Sequence, residues 1–115
     1  MGIREEVHAL ISMGRLPSEE AVVATPELDG RIEQMQQAIE LIVPPVTREE
    51  AEKLLGIFGP DSSFGLAWSV VHLIESAPGG TPLVSAPPPD ANYWVRFLWD
   101  RARRAEGVVG ARDPV

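Results

Sequence analysis

The stretch Asp61-Ser62-Ser63-Phe64-Gly65-Leu66-Ala67-Trp68-Ser69-Val70-Val71-His72-Leu73-Ile74-Glu75-Ser76-Ala77 decides the fold. At about 100° per residue, Ser62, Gly65, Ser69, His72 and Ser76 fall within one arc of about 80°. The rest of the circumference carries Phe64, Leu66, Ala67, Trp68, Val70, Val71, Leu73, Ile74 and Ala77, interrupted only by Glu75. A helix apolar nearly all round belongs at the centre of a domain. The spacing therefore predicts a central helix over about residues 62–77, capped by Asp61 and enclosed by other helices. Trp68, between Phe64 and Val71, is expected to be buried.

Upstream, proline and glycine divide the chain into segments of helical length. Ile3, Val7, Leu10 and Ile11 line one face of a first helix that ends at Gly14. Ser18 caps a short second one, with Glu19 and Glu20 in its first turn. Thr25-Pro26 opens the third, where Leu28, Ile32, Met35, Ile39 and Ile42 make an amphipathic seam over about 18 residues. Pro44-Pro45 stops it. Thr47 and Glu50 then form a capping box for a helix with Ala51, Leu54, Leu55 and Phe58 inside, which Gly59-Pro60 ends.

Downstream, residues 78–89 hold five prolines and two glycines, a connection with little regular structure. Asp90 is the expected cap of a last helix over about 91–106, and 107–115 the expected flexible tail. Pro82-Leu83-Val84-Ser85 is the sole strand candidate, and prolines flank it. The expectation is one all-α domain over 1–106, a bundle or irregular array of four to six short helices.

Composition narrows the function. The chain has 115 residues, 44% of them hydrophobic, with 17 acidic and 10 basic side chains and a formal charge of −7. That balance opposes nucleic-acid binding. The chain has no cysteine, which excludes disulfides, thiolate metal sites and a cysteine nucleophile. No apolar run is long enough to span a membrane, and the first residues show no signal-peptide pattern, so the expected location is cytoplasmic.

Few residue patterns suggest chemistry. Glu5-x-x-His8 and His72-x-x-Glu75 have metal-ligand spacing, and Glu33 or Glu40 could add a carboxylate. The second pair runs in reversed order, and acidic helices produce such spacings by chance. Ser69 and His72 are helical neighbours without a nucleophile elbow or an oxyanion loop. Gly79-Gly80 lacks the Lys-Ser or Lys-Thr of a phosphate loop, and no cofactor motif is present. Glu5-Glu6, Glu19-Glu20 and Glu49-Glu50 sit in first turns, where they complement helix dipoles. A non-enzymatic protein is the expectation.

Partner binding is better supported. Residues 1–75 carry a net charge of −8 and residues 76–115 a net of +1. The last helix mixes Arg96, Arg101, Arg103 and Arg104 with Tyr93, Trp94, Phe97 and Trp99, the residue types of interface hot spots. Trp94 and Leu98 fit its core face. Trp99 lies at the margin, an exposed anchor with Arg96 and Arg103 beside it. The small polar stripe Ser69, His72 and Ser76 reads either as a solvent face or as a shallow groove with His72 at its floor.

The function expected is therefore a protein–protein interaction module for a basic partner, an immunity or antitoxin-like inhibitor being one form. The alternatives are a metal- or ligand-handling protein using His72 and Glu75, and a structural or oligomer-forming protein.

Overall fold

The computed structural model describes residues 2–112, with side chains described for 2–104. Six α-helices occur among the described residues: α1 (Glu5–Ser12), α2 (Glu19–Ala24), α3 (Glu27–Glu40), α4 (Arg48–Leu54), α5 (Leu66–Glu75) and α6 (Tyr93–Arg112). A 3₁₀ turn, Leu55–Ile57, extends α4. No strand occurs among the described residues, so the architecture is all-α. None of these helices is long and apolar enough to cross a membrane.

Local chemistry sets most of the boundaries. Gly14 closes α1 at φ +87, with its N–H on the Ile11 carbonyl. The Ser18 hydroxyl accepts the Ala21 N–H at the start of α2. Pro26 has helical dihedrals, its missing N–H costing nothing in the first turn of α3. The Thr47 hydroxyl accepts the Glu50 N–H at 3.0 Å while Glu50 Oε1 accepts the Thr47 N–H at 2.8 Å, completing the capping box of α4.

Four boundaries differ from the sequence reading. α3 ends at Glu40 after 14 residues rather than 18, and the Ile42 N–H turns tightly back to the Ile39 carbonyl. α5 begins at Leu66, because residues 62–65 form a turn with Ser63 at φ 50, Phe64 at φ 56 and Gly65 at φ 93. Asp61 divides its carboxylate between the distant Glu19 N–H and the Ser63 N–H of this turn instead of capping a helix at Ser62. α6 is capped by Asn92 rather than Asp90, the Asn92 Oδ1 accepting the Trp94 N–H at 2.8 Å. α6 also continues to Arg112, beyond the expected end at Glu106, since no proline interrupts it before Pro114. Residues 113–115 of the expected tail lie outside the described residues.

The core gathers the inner faces of all the helices except α2, together with Leu16, Ile42, Val46 and Phe58 between them. α5 contributes Leu66, Ala67, Val70, Val71, Leu73 and Ile74, and packs on α3, α4 and α6. Each fully buried Leu or Ile adds about 1.5–3 kcal/mol relative to exposure.

Trp68 is the exception to the expected burial. It is 41% exposed and Phe64 is 53% exposed, whereas Trp94 is 4% exposed. The other apolar residues of α5 are all buried, while Trp68 edges against Trp94 and Phe97 with part of its ring in solvent. The connection after α5 has no regular structure, and Pro82 and Leu83 fold back against the body.

Candidate interaction surface

The corner between α4 and α5 is built by hydrogen bonds to a segment more than 40 residues earlier. Asp61 Oδ2 accepts the Glu19 N–H at 2.9 Å, and Asp61 Oδ1 accepts the Ser63 N–H at 3.0 Å. Glu19 Oε2 in return accepts the Ser62 hydroxyl at 2.6 Å and the Phe64 N–H at 2.9 Å. Ser63 is fully buried, and its hydroxyl donates to the Pro17 carbonyl at 2.6 Å. Trp94 Nε1 donates to the Asp61 carbonyl at 3.0 Å.

This network holds Phe64 in a left-handed backbone conformation that bulky residues rarely adopt. Its ring stands on the surface. A shallow depression of about 180 Å³ beside it is lined by Phe64, Ser69 and, from α3, Gln36, Ile39 and Glu40. Tyr93, 54% exposed, stacks on Phe97, and Trp68 meets the same ring edge-on at 5.3 Å between centroids. Trp68 and Tyr93 are thus exposed aromatics on the α5–α6 side, whereas the exposed Phe64 adjoins the acidic helices α2 and α3.

A second concavity lies between α6, the 79–84 segment and the start of α4. It is an open cleft of about 760 Å³, with Arg48, Arg101 and Arg103 around Trp99, Leu83 and Ala102. Glu75 is its one carboxylate among the described residues, bound by Arg101 Nε at 2.7 Å. The Arg103 guanidinium lies 5.5 Å from the Trp99 ring centre.

The residues expected to bind a partner are thus divided. Trp99 and Arg103 share the cleft, Trp99 being half-buried there. Arg96 is exposed at the start of α6, its Nε donating to the Ala91 carbonyl. Ser69 and His72 face solvent on α5. Ser76 serves the fold: its hydroxyl donates to the Leu73 carbonyl at 2.6 Å and accepts the Val46 N–H at 3.0 Å. Glu75 is engaged by Arg101, and no cluster of three His, Asp or Glu residues suited to a metal occurs among the described residues.

Sequence reasoning missed Phe64, Trp68, Tyr93 and Arg48 as surface groups. Gly65 was the available signal, since glycine in the first turn of a presumed helix marks a positive φ. It also missed Arg4, whose Nε and backbone N–H bond Glu50 Oε2 at 3.0 and 2.9 Å. Glu50 is fully buried, and the Arg4 guanidinium holds its carboxyl at about 2, below the usual carboxylate range. This pair ties α1 to α4 and is structural. No protein-family model matches the chain, and no curated protein or solved structure is significantly similar to it.

Proposed function

We propose that the protein is a non-catalytic interaction module that captures a basic protein, with Phe64 as the apolar anchor and the acidic helices α2 and α3 steering the approach. Phe64 carries the reading. A bulky side chain in the left-handed region costs about 1–3 kcal/mol, and such strain concentrates where a group is being presented. Here the strained residue is also an aromatic left half-exposed. Trp68 and Tyr93 are further exposed aromatics, of the residue types that dominate hot spots. Inhibition of a basic toxin or nuclease is one form this capture would take.

Phe64→Asn tests it, because asparagine tolerates a positive φ and lacks the ring. Native-organism proteins retained by the wild type and by the variant are compared by mass spectrometry, with thermal melts of both. A basic protein retained by the wild type, lost by the variant and released by salt is the expected result. Identical retained proteins, or a variant that melts well below the wild type, would show that Phe64 serves the fold instead.

A further inference from the structure

The Arg48–Arg101–Arg103 cleft has no part in the surface just described. It shares with that reading only the premise that the protein works by binding proteins. We infer that this cleft is a second docking site, and that its occupant is an acidic peptide segment of a partner protein with a large apolar side chain among its carboxylates.

The charge of the cleft selects that occupant. Among the described residues, three arginines stand around it against the Glu75 carboxylate, in a chain whose net charge is −7. An acidic segment is repelled by the acidic helices and attracted only where guanidinium groups gather. Arginine suits carboxylates because its planar fork makes paired, charge-assisted hydrogen bonds. Arginine clusters are a recurring means of reading acidic motifs.

The geometry supports the same occupant. Arg48 reaches from the first turn of α4 to the Gly79-Gly80 turn, where a Cβ on Gly79 would stand 3.7 Å from its guanidinium. Arg101 is held in place by Glu75 through Nε. Arg103 stacks on Trp99, which limits the side-chain freedom it would otherwise lose on binding. Trp99, Leu83 and Ala102 are each half-buried and give the cleft an apolar floor. A chain with carboxylates alone would leave that floor wet, so an apolar side chain between the acids completes the fit.

The probe is a fluorescein-labelled peptide of alternating glutamate and leucine, followed by anisotropy at low salt, with the glutamine–leucine peptide as control. The glutamate peptide should bind the full chain and the control should not. The double variant Arg48→Gln/Arg103→Gln should weaken binding about tenfold or more, since it removes charge-assisted bonds from two sides. Trp99→Ala should weaken it through the floor, whereas Phe64→Asn should bind the peptide as the wild type does. The cleft is refuted if both peptides bind equally, if neither binds, or if the double variant, with an unchanged melt, retains full affinity. It is refuted as a separate site if Phe64→Asn loses peptide binding. Loss of the basic partner by Phe64→Asn with peptide binding intact separates the two surfaces.

Discussion

Trp94 and Trp68 show how two like residues acquire different weights. Trp94 is enclosed, stacks on Phe58 at 6.0 Å and spends its indole N–H on the Asp61 carbonyl. Removing it deletes a large buried ring and leaves a polar group without its partner. Trp94→Ala should cost about 3–5 kcal/mol in urea melts. Trp68→Ala should cost clearly less, because part of its ring is already in water. Equal losses would contradict this packing. Glu50 gives the residue scale a pH signature. Its carboxyl titrates at about 2 in the folded chain, against 4.5 when unfolded, chiefly because Arg4 hydrogen-bonds the charged form. The stability it contributes is complete above pH 4.5 and is lost as pH falls toward 2. Glu50→Gln should remove that part of the acid sensitivity, read as a flatter plot of melting temperature against pH. It should also destabilise the protein at neutral pH, because Arg4 loses its charged acceptor, by less than a fully buried pair would since the guanidinium is partly in water. Burial of Glu50 was not legible in the sequence. The capping box explains the residue locally, while its partner Arg4 lies 46 positions away.

The helices divide into those whose ends are written locally and those whose ends are settled by distant groups. The body of α3 and the start of α4 are of the first kind: a 3.6-residue seam and a Thr47–Glu50 box lie wholly within neighbouring residues, so both were legible. The start of α5 is of the second kind. Asp61 has the composition of a cap, but the Glu19 N–H claims one of its oxygens. The chain then needs three successive positive-φ residues before helix can begin. That displacement turned Phe64 outward and hid the candidate site from a helical wheel. The same corner requires Gly59. A Cβ on Gly59 would overlap the Leu16 carbonyl oxygen, while the Leu16 N–H bonds the Ile57 carbonyl at 2.8 Å. Backbone meets backbone there, so a side-chain rotation cannot relieve the clash. Gly59→Ala should cost at least about 2 kcal/mol, an overpacking penalty taken up by main-chain movement. Gly56→Ala, three residues earlier with open space around it, is the control and should leave the urea midpoint nearly unchanged.

On the scale of the whole molecule the charges are segregated. The first 75 residues carry a net of −8, and the arginines of α6 stand at the other end of the sequence. This asymmetry was legible in the sequence, but the groups that share a surface were not. Arg48 joins Arg101 and Arg103 only because the turn after α5 folds beside the start of α4. Under the proposed capture of a basic partner, segregation has a kinetic consequence. Long-range attraction by α2 and α3 would act before contact and so belong to the association rate. Burial of the Phe64 ring would act after contact and belong to dissociation. Raising the salt from 0.1 M to 1 M shortens the screening length from about 10 Å to about 3 Å. The association rate with the basic partner should fall steeply over that range, with dissociation nearly constant. Phe64→Asn should do the reverse, speeding dissociation by the equivalent of about 2 kcal/mol, a hot-spot magnitude, at little change in association. Surface-plasmon traces of the two proteins at both salt concentrations separate the effects. If salt changed only dissociation, the acidic helices would not be steering the encounter, and Phe64 would have to account for capture alone.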